Sequence, residues 1–202
     1  GNQIATVATD PALDIRGDVS FQLRFKADNL DQTWQSLLYK GNQNNRGAER
    51  NYSLWLNSAG YLYLSISTDW GEYTVRTADA SIQTDRWYDV VGVVDRTNGK
   101  LRIYIDGVQA AESPNSLPPA TIPNRTYATP LTIGNAIENW YNSTPGFEGS
   151  ISEVRVWSRA LTAANVTSFQ TAEPSASDTS LVLWLPLNTA GTSTLADASG
   201  EG

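Results

Sequence analysis

RWYDVVGVVDRTNGKLRIYIDGV, residues Arg86 to Val108, decides the fold class. Its first half, Trp87 to Val94, is dense in aromatic and β-branched residues, which suit a pleated, packed surface. Its second half alternates. Leu101, Ile103 and Ile105 fall on one face, and Arg102, Tyr104 and Asp106 on the other. A period of two puts one face in a core and the other towards water. Between the halves stands Asn98-Gly99, a pair that tolerates the positive φ of a tight hairpin. Asp106-Gly107 then turns the chain again.

The same pattern recurs on both sides. Val19, Phe21, Leu23 and Phe25 alternate with Ser20, Gln22, Arg24 and Lys26. Gln35–Tyr39 reads as a further strand, and Asn42–Arg50 as a polar loop. Tyr52–Ser67 reads as a second hairpin turning at Ser58-Ala59-Gly60. Its core face holds Leu54, Leu56, Leu62, Leu64 and Ile66, and its other face groups Trp55, Tyr61 and Tyr63. Asp69–Tyr73 reads as an aromatic, acidic loop before a short strand at Thr74–Arg76. Ser113–Pro130, with five prolines, reads as a long irregular connection of the kind that is functional or mobile. Strands resume at Leu131–Asn135 and Glu153–Trp157. Thr162 is a sensible N-cap for the one expected helix, Thr162–Thr171.

Composition narrows the function. The 202 residues hold no Cys and no His, and the net charge is −7. Without His, the Ser-His and Cys-His nucleophile pairs and the commonest zinc ligand are missing. A dispersed negative charge argues against tracking nucleic-acid phosphates, and there is no apolar run long enough to span a membrane. The first residue is Gly1, as in a piece cut from a longer or processed protein.

Two segments carry a family resemblance. One is W-Y-x-V-x-G-V-x-D with G-K-L-x-I-Y-I-D-G-V, at Trp87–Val108. The other is Phe147–Trp157, FEGSISEVRVW, followed by Arg159-Ala160-Leu161-Thr162. Together they resemble the laminin G-like branch of the concanavalin A-like lectin/glucanase superfamily. Ser152 stands where that branch usually has Asp. The resemblance implies an all-β, antiparallel β-sandwich (jelly roll, concanavalin A-like) with one short helix. The sandwich is expected over residues 1–171, with a Pro/Ser-rich linker at 172–180. Residues 181–202, opening LVLWLPL and ending D-x-S-G-x-G, resemble the start of a family member. They are expected to complete this sandwich beside Glu153–Trp157, or to open a next repeat in a longer chain.

Such folds host lectins, adhesion modules and hydrolases alike, so the site must be argued from residues. Glycosidases need paired carboxylates, and no E-x-D-x-x-E run exists, so the chain reads as non-catalytic. Sugars stack C–H faces on aromatic rings and bond their hydroxyls to Asn, Asp and Arg. Two loops have that composition, and the candidate ligand-binding residues are Arg50, Asp69, Trp70, Tyr73, Asn139, Trp140 and Tyr141. Trp55, Tyr61 and Tyr63 read either as a stacking platform or as cross-strand pairs. Trp87, Trp157 and Trp184 read as structural. Relatives often carry a structural Ca²⁺, for which Asp197 and Glu153 are the matching carboxylates.

The expected function is binding of a glycan or cell-surface ligand by a module of a secreted or surface protein. The partners expected are neighbouring repeats, with no nucleic acid and no membrane span, and the location is extracellular. The rival readings are a spacer or adhesion module binding protein, and a glycoside hydrolase.

Overall fold

A computed structural model describes residues 5–42, 49–114, 116–136, 146–175, 177–187 and 196–199. Twelve strands form two antiparallel six-stranded sheets. Sheet A has the order β1 (Ala5–Val7), β10 (Leu131–Ile133), β3 (Trp34–Gly41), β4 (Arg50–Asn57), β5 (Leu62–Thr68) and β6 (Gly71–Arg76). Sheet B has the order β12 (Leu181–Pro186), β11 (Gly149–Trp157), β2 (Val19–Ala27), β7 (Trp87–Asp95), β8 (Lys100–Ile105) and β9 (Val108–Glu112). The fold is the all-β sandwich expected from the alternation.

The core lies between the sheets and is built from the residues on the apolar parity. Phe21, Leu23 and Phe25 of β2 meet Leu54, Leu56, Leu62 and Leu64 of sheet A, all without exposed surface. Leu62, Ile103 and Val154 are likewise fully buried. The turns follow their residues. Gly99 takes φ +69°, and Asp106 and Gly107 take φ 49° and 81°, the positive-φ pair of a two-residue hairpin.

The helix α1 (Ala163–Ser168) is shorter than the expected span. Thr162 caps it, with its side chain accepting from Asn165 N while the Asn165 side chain returns a bond to Thr162. Leu161, Val166 and Phe169 bury Val91, Val93, Tyr104 and Trp157 on the outer face of sheet B. Trp157 stacks flat on Phe169 at 5.3 Å.

Strand β12 lies antiparallel beside β11, with Leu185 opposite Val154 and Leu183 opposite Val156. Its free edge is bonded by the chain's last described residues. Asp197 accepts from Trp184 N, and Ala198 N donates to Trp184 O. An apolar edge strand is thereby protected from pairing with another chain.

Three features go against or beyond the sequence pattern. Gly71, Glu72 and Tyr73 belong to strand β6, not to a loop, because they pair with Thr68, Ser67 and Ile66 respectively across a tight turn. Residues after Gly107 form the edge strand β9, whose mixed sequence VQAAE gives no clean alternation. Trp87 is 40% exposed, because it shares the outward parity of β7 but stands outside the cluster that α1 covers.

Candidate carbohydrate-binding face

The outward parity of sheet A collects the aromatic residues. Pairing across β3, β4, β5 and β6 sets Ser36, Trp55, Tyr63 and Arg76 in one row. Ser53, Ser65 and Thr74 form the next row. Trp34 stands at the start of β3 and meets Tyr61 and Tyr63 edge-on, at 5.8 and 5.4 Å between ring centres. Arg76 lies 4.5 Å from the centre of Tyr61. Tyr39 meets Trp55 at 6.0 Å and 75°. Trp34, Tyr61 and Tyr63 keep part of their surface in solvent, whereas Trp55 and Tyr39 are buried.

Arg50 is fixed in the middle of this face. Its Nη1 donates to Glu72 Oε1 at 2.9 Å and to Ser65 Oγ at 3.2 Å. Its guanidinium stacks over Trp55 at 4.9 Å, a cation–π contact strengthened by exclusion of water. Ser65 Oγ also donates to Glu72, at 2.6 Å. Trp55 Nε1 donates to Ser53 Oγ at 2.9 Å. Burial pushes the Tyr63 hydroxyl above its ordinary pKa, opposed by a bond with Thr74. The four serines at 36, 53, 65 and 67 are fully buried beneath the rings, so they pack the face and do not reach its surface. The face is a polar floor walled by aromatic rings, with a clamped Arg–Glu pair. That arrangement can stack a sugar and bond its hydroxyls. Among the described strand residues of this face, Glu72 is the single carboxylate, whereas hydrolysis of a glycosidic bond ordinarily uses two.

The sequence-derived candidates separate. Arg50 is on this face. Asp69 and Trp70 sit in the β5–β6 turn, where Trp70 N donates to Thr68 Oγ1 and Arg125 Nε donates to Asp69 Oδ1 at 3.2 Å. Trp70 is 65% exposed. Tyr73 is on the opposite parity of β6 and packs against the main core. Asn139, Trp140 and Tyr141 lie outside the described residues. Trp34 and Tyr39 were not among the candidates. No local pattern would have found Trp34, because the register shift between Ser36 and Leu38 breaks the parity that would otherwise group it with the core residue Leu38.

Asp197 and Glu153 both attach to Trp184. Asp197 Oδ1 accepts from Trp184 N and Ser199 N, and Oδ2 from Ser199 Oγ, each at 2.9 Å. Glu153 Oε1 accepts from Trp184 Nε1 at 2.8 Å and pairs with Arg155 at 2.6 Å. Calcium requires six to eight oxygen ligands. Here the carboxylates face N–H and O–H donors and a guanidinium. No group of three or more His, Cys, Asp or Glu converges among the described residues. The described residues around this pair therefore do not fit a calcium shell.

Comparison with known proteins places this architecture. The family model of the concanavalin A-like lectin/glucanases superfamily matches residues 1–167. A candidate carbohydrate-binding protein of Bacteroides ovatus superposes with a TM-score of 0.75 at 21% identity, over 98% of this chain and 54% of that one. The chain thus spans about half the length of that structure. The CBM40 module of the Ruminococcus gnavus IT-sialidase, bound to α2,3-sialyllactose, superposes at 0.63 with 14% identity, over 83% of this chain and 96% of the module. A leech intramolecular trans-sialidase matches at 0.61 with 16% identity, over 85% of this chain and 27% of the enzyme. At these identities the likeness is one of fold. No curated protein sequence matches the chain.

Proposed function

Because the chain belongs to the concanavalin A-like lectin/glucanases superfamily, we propose that it is a non-catalytic carbohydrate-binding module that seats its ligand on the outer face of sheet A. The observation that carries this reading is Arg50, clamped by Glu72 and Ser65 over Trp55. Trp34, Tyr61 and Tyr63 supply ring surface beside it. The rings take the apolar face of a pyranose, while Arg50 and Glu72 take its hydroxyls. Fixed side chains lose little freedom on binding, which favours affinity. Sialylated glycans are the first ligands to try. The CBM40 module of similar fold holds sialyllactose, and Arg50 and Arg76 offer cations to a sugar carboxylate.

We place the module outside the cell, within a longer secreted or surface protein. There, weak single sites gain strength through repetition. The test is a glycan array probed with the purified chain and with its Trp34→Ala, Tyr63→Ala and Arg50→Ala variants. Binding by the parent, weakened at least roughly tenfold in each folded variant, is the expected result. Unchanged binding in all three variants would remove the site from this face. Release of reducing sugar from any bound glycan would return the chain to the hydrolases.

A further inference from the structure

The outer face of sheet B is covered over only part of its area. The Leu161–Phe169 segment lies on Val91, Val93, Tyr104 and Trp157. On the same parity but outside that cluster, two rows run across the strands. One sets Glu153, Arg24 and Asp89 side by side on β11, β2 and β7. The next sets Lys26 beside Trp87. Arg24 is exposed, and its guanidinium lies 6.0 Å from the centre of the Trp87 ring.

Arg24 and Asp89 are directly opposed across β2 and β7, where opposite charges ordinarily pair. Among the described residues they form neither an ion pair nor any other side-chain hydrogen bond. Their neighbours are already committed. Glu153 is held by Arg155 and by the Trp184 indole. Asp106 is held by Arg86 and accepts from Asp89 N. Half-burial raises the Asp89 carboxyl above its ordinary pKa. Arg24 and Arg155 counter that rise, and Asp106 and Glu153 add to it. A donor fork, an acceptor and an exposed indole thus meet with their bonding capacity unspent.

We propose that Trp87, Arg24 and Asp89 form a second saccharide site, on the face opposite the aromatic face of sheet A, for a neutral pyranose with two adjacent hydroxyls. One hydroxyl donates to the Asp89 carboxylate. Its neighbour accepts from the Arg24 guanidinium, and the C–H face of the ring lies on Trp87. One positive and one negative charge side by side cancel, so the site selects for neither anionic nor cationic sugars. A module with a site on each sheet cross-links glycan chains, and this consequence is independent of which ligand sheet A takes.

The test is an NMR titration of the indole Nε1–H resonances with the methyl α- and β-glycosides of glucose, galactose, mannose and xylose at millimolar concentration. Loss of a peak in Trp87→Phe identifies the Trp87 signal. The expected result is a saturable shift of that signal with at least one glycoside. The affinity should fall roughly tenfold in Arg24→Ala and in Asp89→Asn and be unaffected by Trp34→Ala. A Trp87 signal silent to every glycoside overturns the site. So does a response that survives intact in both Arg24→Ala and Asp89→Asn. Shifts confined to the sheet A indoles would overturn this site and leave the other standing.

Discussion

Arg50 lies 4.9 Å above the ring of Trp55 on the side of sheet A that faces away from the core, and Glu72 holds it there. The Glu72 side chain is partly open to water, so the pair itself contributes modestly to stability. Its value is in positioning. Glu72→Ala is expected to cost about 1 kcal/mol in urea denaturation. It should weaken glycan binding as much as Arg50→Ala does, since an unclamped guanidinium must be reordered by the ligand. Equal affinity of Glu72→Ala and the parent chain would show that Arg50 needs no clamp.

The glycine at the centre of the Val90-Val91-Gly92-Val93-Val94 run is required by packing. It stands opposite Phe21 in the β2–β7 register, and a Cβ there would come within 2.4 Å of the Phe21 ring. Phe21 is fully buried and stacked on Tyr52 at 5.8 Å, so it has little room to yield. Gly92→Ala is expected to destabilise the fold by about 2 kcal/mol. Adding Phe21→Leu should recover part of that loss, because the two residues share one space. Strict additivity of the two substitutions would show that the clash is relieved elsewhere.

Asp95 closes the β7–β8 hairpin by accepting from Arg102 Nη1 at 2.8 Å and from Asn98. Burial alone would raise its pKa, but the bonds from Arg102 and Asn98 outweigh burial and hold it below the ordinary carboxylate value. A carboxylate with a depressed folded pKa stabilises above its unfolded pKa, and that stability is lost as pH falls through the folded value. At neutral pH, Asp95→Asn should therefore be less stable than the parent by about 1–2 kcal/mol. The gap should shrink as pH drops below about 4. Denaturation midpoints of the two proteins that stay equally far apart from neutral pH into that acid range would contradict this assignment.

Much of the sandwich was legible because burial follows parity. Phe21, Leu64 and Ile103 occupy every second position and are all buried. The legibility failed where parity breaks. Arg50 shares its alternation with Tyr52 and Leu54, which face the core, yet its guanidinium reaches Trp55 on the other side. A register shift at Lys40/Gly41 makes that possible, and no local pattern announces it. Tyr73 was grouped with Trp70 because both are aromatic neighbours of a turn, but strand β6 sends it inward. Trp87 reads as structural with Trp157, yet it stands outside the cluster that covers Trp157 and is 40% exposed.

Lys40 offers a measure of how the fold tolerates buried charge. Its side chain has no exposed surface, and Nζ lies 2.6 Å from Asp14 Oδ1, with Thr129 O as its second acceptor. Asp14 follows the 3-10 turn Pro11–Leu13, so this pair ties the N-terminal segment to β3. Tyr52, whose hydroxyl donates to Leu13 O, is raised in pKa by burial first and by the charge of Asp14 second. A buried pair gains little over apolar replacement, but breaking it strands one charge. Lys40→Met strands only the Asp14 carboxylate, which is partly open to water, and should accordingly cost clearly less than Asp14→Asn. Asp14→Asn should cost about 3 kcal/mol, because it leaves the Lys40 ammonium in the core without a counter-charge. Adding Lys40→Met to Asp14→Asn should restore most of that loss. If Lys40→Met proved the more damaging of the two single substitutions, the alkyl stem and the Thr129 bond, not the ion pair, would be what holds the N-terminal segment in place.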